Sequence, residues 1–418
     1  MIQTNKSDNK KFYILLLVAC ITLYLISICA KMVYSASLVE IIVGFNESKS
    51  RVGLGLTFYY VTYALTQIIF SYYLSRMNVR AFLVVTTILS ALSFSMIFFV
   101  NKLWQLWIIF GVNGIFQAGI YGGCMYLFGK YLPDSWSPVV SKIMSLPLSL
   151  GTAITYGFAA LFIGVFKNWK YTFVFFAFIL LFSAAFFYIA EKLVEKKVGA
   201  LDKQEKSQEK EVQTSGGLIE TMPKNKLASL LIYIYLTSFL VTCSYYAITN
   251  WVPNLLKEVF LVPTEYSLLI TILMPIGMIA GPIITNDACE RRENFFAVNA
   301  FFMSISALLL FVLIFAYSIN MVLVIVLLLA LLICNRGIVN VMAVYVPLKM
   351  KHAIDAGKSS LIINAFASLG AAVVPFLTGL VMDSYSWKVY FIFTFLLVSL
   401  VVVLFAIGAI KQGKRKLF

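Results

Sequence analysis

Asn168-Trp169-Lys170-Tyr171-Thr172-Phe173 returns 218 residues later as Ser386-Trp387-Lys388-Val389-Tyr390-Phe391. Each copy opens a long apolar run, and the runs that begin at Phe12 and Ala228 are separated by nearly the same distance, 216 residues. An offset of about half the chain marks a duplicated unit, and membrane carriers are often built from two such halves with the site between them. Working outward from these landmarks places six apolar runs in each half: near 12–43, 53–75, 81–100, 103–128, 139–166 and 170–190, then 228–256, 265–286, 294–316, 319–346, 358–382 and 388–410. About 20 apolar residues cross a bilayer. The expected fold is therefore all-α, with twelve transmembrane helices in two pseudo-symmetric six-helix bundles, residues 1–190 and 228–418, joined by a linker at 191–227.

Composition leads to the same class. Of 418 residues, 61% are apolar and 12% charged, against about 25% charged in a soluble domain. No water-soluble core hides that much apolar surface. The polar start, Met1 to Lys11, runs into a hydrophobic segment without a small-residue cleavage site, which reads as a first span and not a removable signal. The linker holds EKLVEKK, LDKQEKSQEKE, TSGG and MPKNK, an aromatic-free charged stretch that cannot bury a core of its own. Six cysteines are scattered without a CxxC pair, and five lie in apolar runs, as small apolar side chains do. The single histidine, His352, sits beside Lys349 and Lys351 in a polar loop, so no metal site and no cofactor is expected.

Lysine and arginine orient the chain, because cytoplasmic loops retain them. With both termini inside, the inner segments hold 24 of the 33 basic residues and the outer loops seven. Both termini and the linker are thus expected in the cytoplasm of a multi-pass inner-membrane protein. The net charge of +15 is spread as topology signals and forms no basic face for nucleic acid. The remaining two cations, Lys31 and Arg336, fall inside spans.

At the loop after the second span, Ser71-Tyr-Tyr-Leu-Ser75-Arg76-Met-Asn-Val-Arg80 resembles a reduced form of the Gly-x-x-x-Asp-Arg-x-Gly-Arg signature of the major facilitator superfamily. The loop after the eighth span, Gly281-Pro-Ile-Ile-Thr-Asn-Asp287-Ala-Cys-Glu290-Arg291-Arg292, keeps the acid and the basic pair better. The resemblance implies that Arg76, Arg80, Asp287, Arg291 and Arg292 are gating residues of a cytoplasmic charge latch. Thr249-Asn250-Trp251-Val-Pro253-Asn-Leu-Leu-Lys257-Glu258-Val is similar to the end of the seventh helix of organophosphate:phosphate antiporters. Ala356-Gly357-Lys-Ser-Ser, Asn364, Leu369-Gly370 and Thr378-Gly379-x-x-x-Asp383 are similar to their eleventh helix. Aligned on that branch, the two arginines and the histidine that grip phosphate fall at Ala30, Tyr245 and Leu148, none of which carries charge. This departure counts against a sugar phosphate or glycerol phosphate cargo.

An ionisable group within a span costs at least about 2.5–3.5 kcal/mol on insertion scales unless it meets a partner or a wet cavity. Lys31, 19 residues after Phe12, and Arg336, within Cys334-Asn335-Arg336-Gly337, are both deep. The competing readings are a snorkelling stem for Lys31 and a clamp on backbone carbonyls for Arg336. No Asp or Glu occupies the middle of any span. Glu40, nine residues on, starts on a similar helix face but roughly 13 Å along the axis. The substrate is then expected to bring the negative charge: lysine offers a point charge and arginine a two-pronged fork. In the superfamily, helices one, four, seven and ten line the cavity. Tyr34, Asn113, Gln117, Tyr121, Tyr245, Tyr246, Asn250 and Asn340 are the expected substrate-binding partners around the two cations. Glycines of the fourth span and Gly370 suit close helix contacts, and Pro147, Pro275 and Pro375 suit kinks.

The function expected is secondary active transport of a small organic anion across the cytoplasmic membrane by alternating access. It would run as an antiporter or as a symporter coupled to a proton, sodium ion or counter-anion, and as a monomer in the bilayer. The alternative is an exporter of drugs and amphipaths, or an amino-acid permease, of the same fold. A sensor or lipid-handling protein is a further class, but a 37-residue linker is too short for a signalling domain. No phosphate-binding loop serves an ATP-driven pump, and no catalytic constellation supports an enzyme.

Overall fold

The computed structural model describes residues 3–73, 76–132, 136, 140, 143–144, 146–205, 224–292, 294–346 and 356–415. His352 and residues 206–223 of the linker lie outside the described residues. Among those described, twelve helices are long and apolar enough to cross a membrane: α1 (Lys10–Ala36), α2 (Lys49–Tyr73), α3 (Val79–Phe99), α4 (Leu103–Tyr131), α5 (Leu146–Phe166), α6 (Lys170–Lys196), α7 (Ser229–Phe260), α8 (Thr264–Arg291), α9 (Phe295–Ala316), α10 (Met321–Tyr345), α11 (Leu361–Ser384) and α12 (Trp387–Gln412). Helix is the expected answer, since only it satisfies every backbone donor and acceptor within one span. Starts are set by asparagine caps: the side chains of Asn78, Asn294 and Asn320 accept from first-turn N–H groups at the heads of α3, α9 and α10.

The Trp-Lys repeat has a packing role. Trp169 and Trp387 each open a last helix of a bundle, and each lays its ring on the aromatic four residues on, Phe173 at 5.6 Å and Phe391 at 6.5 Å. A second likeness between the halves is a break near the far end of the first helix of each. Residues expected as one span at 12–43 form a helix to Ala36 and a separate short helix, Leu38–Phe45. Likewise α7 breaks between Thr249 and Val252 before continuing to Phe260, with Pro253 in its first turn, where the missing N–H leaves no bond unmade. Pro275 lies in a short helical piece in the middle of α8, whereas Pro375 sits inside unbroken α11 and Pro147 in the first turn of α5. At the other boundary, the helix of α6 runs on to Glu205, so the segment from Glu191 begins in helical form.

Burial separates central from peripheral helices. The apolar stretch of α7 is 61% buried and that of α12 only 33%, and side chains such as Phe182, Phe301 and Phe315 stand exposed where lipid would lie. The two bundles meet most extensively along α2 and α11. There Gly53 and Gly379 let backbones touch. A Cβ on Gly53 would stand 2.7 Å from the Pro375 carbonyl oxygen, and one on Gly379 2.6 Å from Ser50 Cα.

Candidate functional site

Twelve successive crossings put the start of α1, the α6 and α7 ends that flank the linker, and the end of α12 on one face, the termini face. The α1–α2, α7–α8 and α11–α12 connections lie on the far face. Between the bundles is a cavity of about 120 Å³. It reaches from Met144 and Val344, near the termini face, up to Lys31, Tyr60 and Tyr246. Helices α1, α2, α4, α5, α7, α10 and α11 all contribute, so α2, α5 and α11 join the four helices expected.

Lys31 of α1 and Arg336 of α10 both line this cavity, one from each bundle. The Lys31 ammonium lies 4.7 Å from the Tyr60 ring centroid and 5.0 Å from that of Tyr63, an aromatic seat for a cation. Arg336 is buried, 5% exposed, within electrostatic reach of the Tyr24, Tyr245 and Tyr246 hydroxyls. No Asp or Glu is among the described lining residues. The two cationic side chains thus face one cavity and raise its positive potential.

Of the other residues expected at the site, Tyr121, Tyr245, Tyr246 and Asn340 are in the lining. Tyr121 pairs with Tyr24 at 5.3 Å, Tyr246 with Tyr60 at 5.3 Å, and the Asn340 amide donates to Asn286 Oδ1 at 3.4 Å. Four expected residues lie elsewhere. Tyr34 points toward α2, donating its hydroxyl to the Val52 carbonyl at 2.7 Å beneath Gly55. Asn113 and Gln117 face the interior of the first bundle. Gln117 Oε1 accepts from Tyr59 at 2.8 Å and Ser27 at 3.4 Å, while its amide donates to Ser90 at 3.1 Å and Asn113 at 2.8 Å. Asn113 also accepts from the Ser90 hydroxyl at 2.8 Å. Helical spacing cannot distinguish a cavity face from a face turned to a neighbouring helix, and this network ties α1, α2, α3 and α4 together. Gln117→Leu should therefore lower unfolding stability by about 1–3 kcal/mol, because buried partners are left unpaired, while ligand affinity of the purified protein stays unchanged. A selective loss of affinity would place Gln117 in the site instead.

Asn250 sits farther out, in the seam that closes the far face. Its Oδ1 accepts from Ser35 of the other bundle at 3.2 Å. Around it, Asn250 Nδ2, Asn254 Oδ1 and Ser37 Oγ are buried without a hydrogen-bond partner among the described residues, a costly state for polar atoms. Outside this layer runs a belt of inter-bundle polar contacts: Lys49 to Glu258 at 2.8 Å, Lys167 to Glu265 at 3.3 Å and Lys257 to Glu40 at 3.7 Å. Glu40 thus serves the belt and not Lys31. Asp383, at the end of α11, accepts from the backbone N–H groups of Lys49 and Ser50 at 2.9 Å each, capping α2 from the opposite bundle.

The expected latch residues take different places. Arg80 joins Glu191 at 2.9 Å and Glu195, binding α3 to α6 within one bundle. Asp287 pairs with Arg291 on its own helix at 3.0 Å, with both side chains largely exposed; Arg76 and Arg292 are exposed. Tyr24, Tyr60, Tyr63, Asn364 and Ser368 line the cavity without having been singled out from sequence as cavity residues. Among 23 tyrosines, nothing local marks those that turn inward.

The sequence profile described as Major Facilitator Superfamily matches residues 20–353. A bacterial homologue of the human lysosomal transporter Spinster, solved inward-facing and unoccupied, shares the fold with a TM-score of 0.69 at 11% identity, over 95% of this chain and 97% of that one. Its occupied inward-facing form gives 0.67 at 12% identity, over 94% and 96%. The nucleoside transporter NupG, solved as a point mutant, gives 0.67 at 13% identity, over 94% and 99%. No curated protein matches the chain by sequence.

Proposed function

Since this chain belongs to the major facilitator superfamily and is a multi-pass membrane transporter, we propose that it carries a small organic anion between Lys31 and Arg336 by alternating access. The observation that carries the reading is one cavity with a cation from each bundle and no acid in its described lining. An anion between them is held by both halves at once, as rocking around a midplane site requires. The likeness of Thr249–Val259 and of α11 to organophosphate antiporters also favours an anionic cargo. With the termini cytoplasmic, as the lysine and arginine distribution supports, the closed seam faces outside and the cavity faces inside. Exchange against a second anion and cotransport with a proton or sodium ion are both compatible with this site.

A melting-temperature comparison of purified protein with carboxylates and their primary amides tests the reading. Carboxylates should raise the melting temperature, since a ligand of the native state stabilises it in proportion to the logarithm of its saturation, and amides should not. Equal stabilisation by both would favour an amphipath exporter and overturn the anion reading.

A further inference from the structure

The cavity wall limits what kind of anion fits, and this inference rests on the anion reading above. A cavity of about 150 Å³ holds one benzene ring, so about 120 Å³ limits the cargo to roughly a single ring. Six tyrosines stand in the described lining: Tyr24, Tyr60, Tyr63, Tyr121, Tyr245 and Tyr246. Most are paired, Tyr24 with Tyr121 and Tyr60 with Tyr246 at 5.3 Å, and Tyr245 with Tyr246 at 5.0 Å. Ring faces carry negative charge density and ring edges positive. Such a wall attracts the edge or offset face of a flat ring and repels an anionic group laid upon it. Negative charge is acceptable only where Lys31 and Arg336 stand. A compact dianion or a phosphate ester of this size would press charged oxygens against ring faces as well.

The second bundle adds small polar groups with a defined sense. The Thr242 hydroxyl donates to the Ser238 carbonyl at 2.9 Å, and that of Ser368 to the Asn364 carbonyl at 2.8 Å. A hydroxyl has one proton. With it used on the helix, each of these lining groups offers the cavity lone pairs, which call for a donor on the cargo.

We propose that the cargo is a single-ring aromatic carboxylate with a hydroxyl or amino donor on its ring. The carboxylate lies between the two cations, the ring lies among the tyrosines, and the donor faces α7 and α11.

The test is calorimetric titration of the purified full-length protein with 4-hydroxybenzoate, cyclohexanecarboxylate, succinate and glycerol 3-phosphate. 4-Hydroxybenzoate should bind most tightly, exceeding cyclohexanecarboxylate by roughly 2- to 12-fold, the range of aromatic pairing. Tyr121→Leu, or Tyr24→Leu should the first variant fail to fold, should narrow that ratio. If cyclohexanecarboxylate, succinate or glycerol 3-phosphate binds as tightly as the aromatic acid, this inference is overturned and the anion reading stands. If none of the four binds while benzyl alcohol does, the anion reading itself falls.

Discussion

Replacing Lys31 or Arg336 with glutamine is expected to weaken anion binding roughly 10- to 150-fold, the equivalent of one charge-assisted hydrogen bond of about 1.5–3 kcal/mol. Both side chains line the same cavity from opposite bundles, so either loss leaves the anion held by one half alone. The two are not equivalent. Arg336→Lys should recover affinity only in part, since an ammonium keeps the charge and loses the fork. Lys31→Gln also removes the contacts with Tyr60 and Tyr63, so it should loosen the inner edge of the far-face closure, where Tyr60 meets Tyr246. The competing roles, a snorkelling stem and a packing clamp, predict lower melting temperature with unchanged affinity. Titration and thermal unfolding of the same purified variants separate these outcomes, and unaltered anion affinity in both glutamine variants would sink the proposed function.

Removing the carboxylate of Asp383 is expected to shift the carrier toward its far-open state. That carboxylate caps the start of α2 from the end of α11, so its two bonds exist only while the far face is shut. Loss of a helix cap costs about 0.5–2 kcal/mol, which raises the minor population roughly 2- to 30-fold. Behind it, the unpaired atoms of Asn250, Asn254 and Ser37 favour opening, since water would satisfy them. A single reporter cysteine at Ala371, in the cavity lining, on a background without the six native cysteines, reads the shift through an impermeant thiol reagent added to intact cells. Asp383→Ala should increase labelling by that factor. A lower melting temperature with unchanged labelling would reduce Asp383 to an ordinary helix cap, and complete labelling before any substitution would put the termini outside the cell.

The twelve spans were legible because each is decided locally: an apolar run of sufficient length has no other stable form in a bilayer, whatever its neighbours. The duplication was legible for a similar reason, since Trp169 and Trp387 each meet the aromatic four residues on at the same point of each half. The cost of a lone charge in a span likewise drew attention to Lys31 and Arg336 without a structure. Which face each helix turns to the cavity was decided only by packing. Gln117 and Tyr121 lie four residues apart on one helix, yet one closes a network among α1, α2, α3 and α4 while the other lines the site. The regular helix of α4 is interrupted between them, at Ala118 and Gly119. The far-face belt was equally invisible, because Asp383 and Lys49 lie 334 residues apart and only the closing of two bundles brings a carboxylate to a helix end. Local hydrophobicity thus determined what crosses the membrane, and long-range packing decided which of those side chains meet one another.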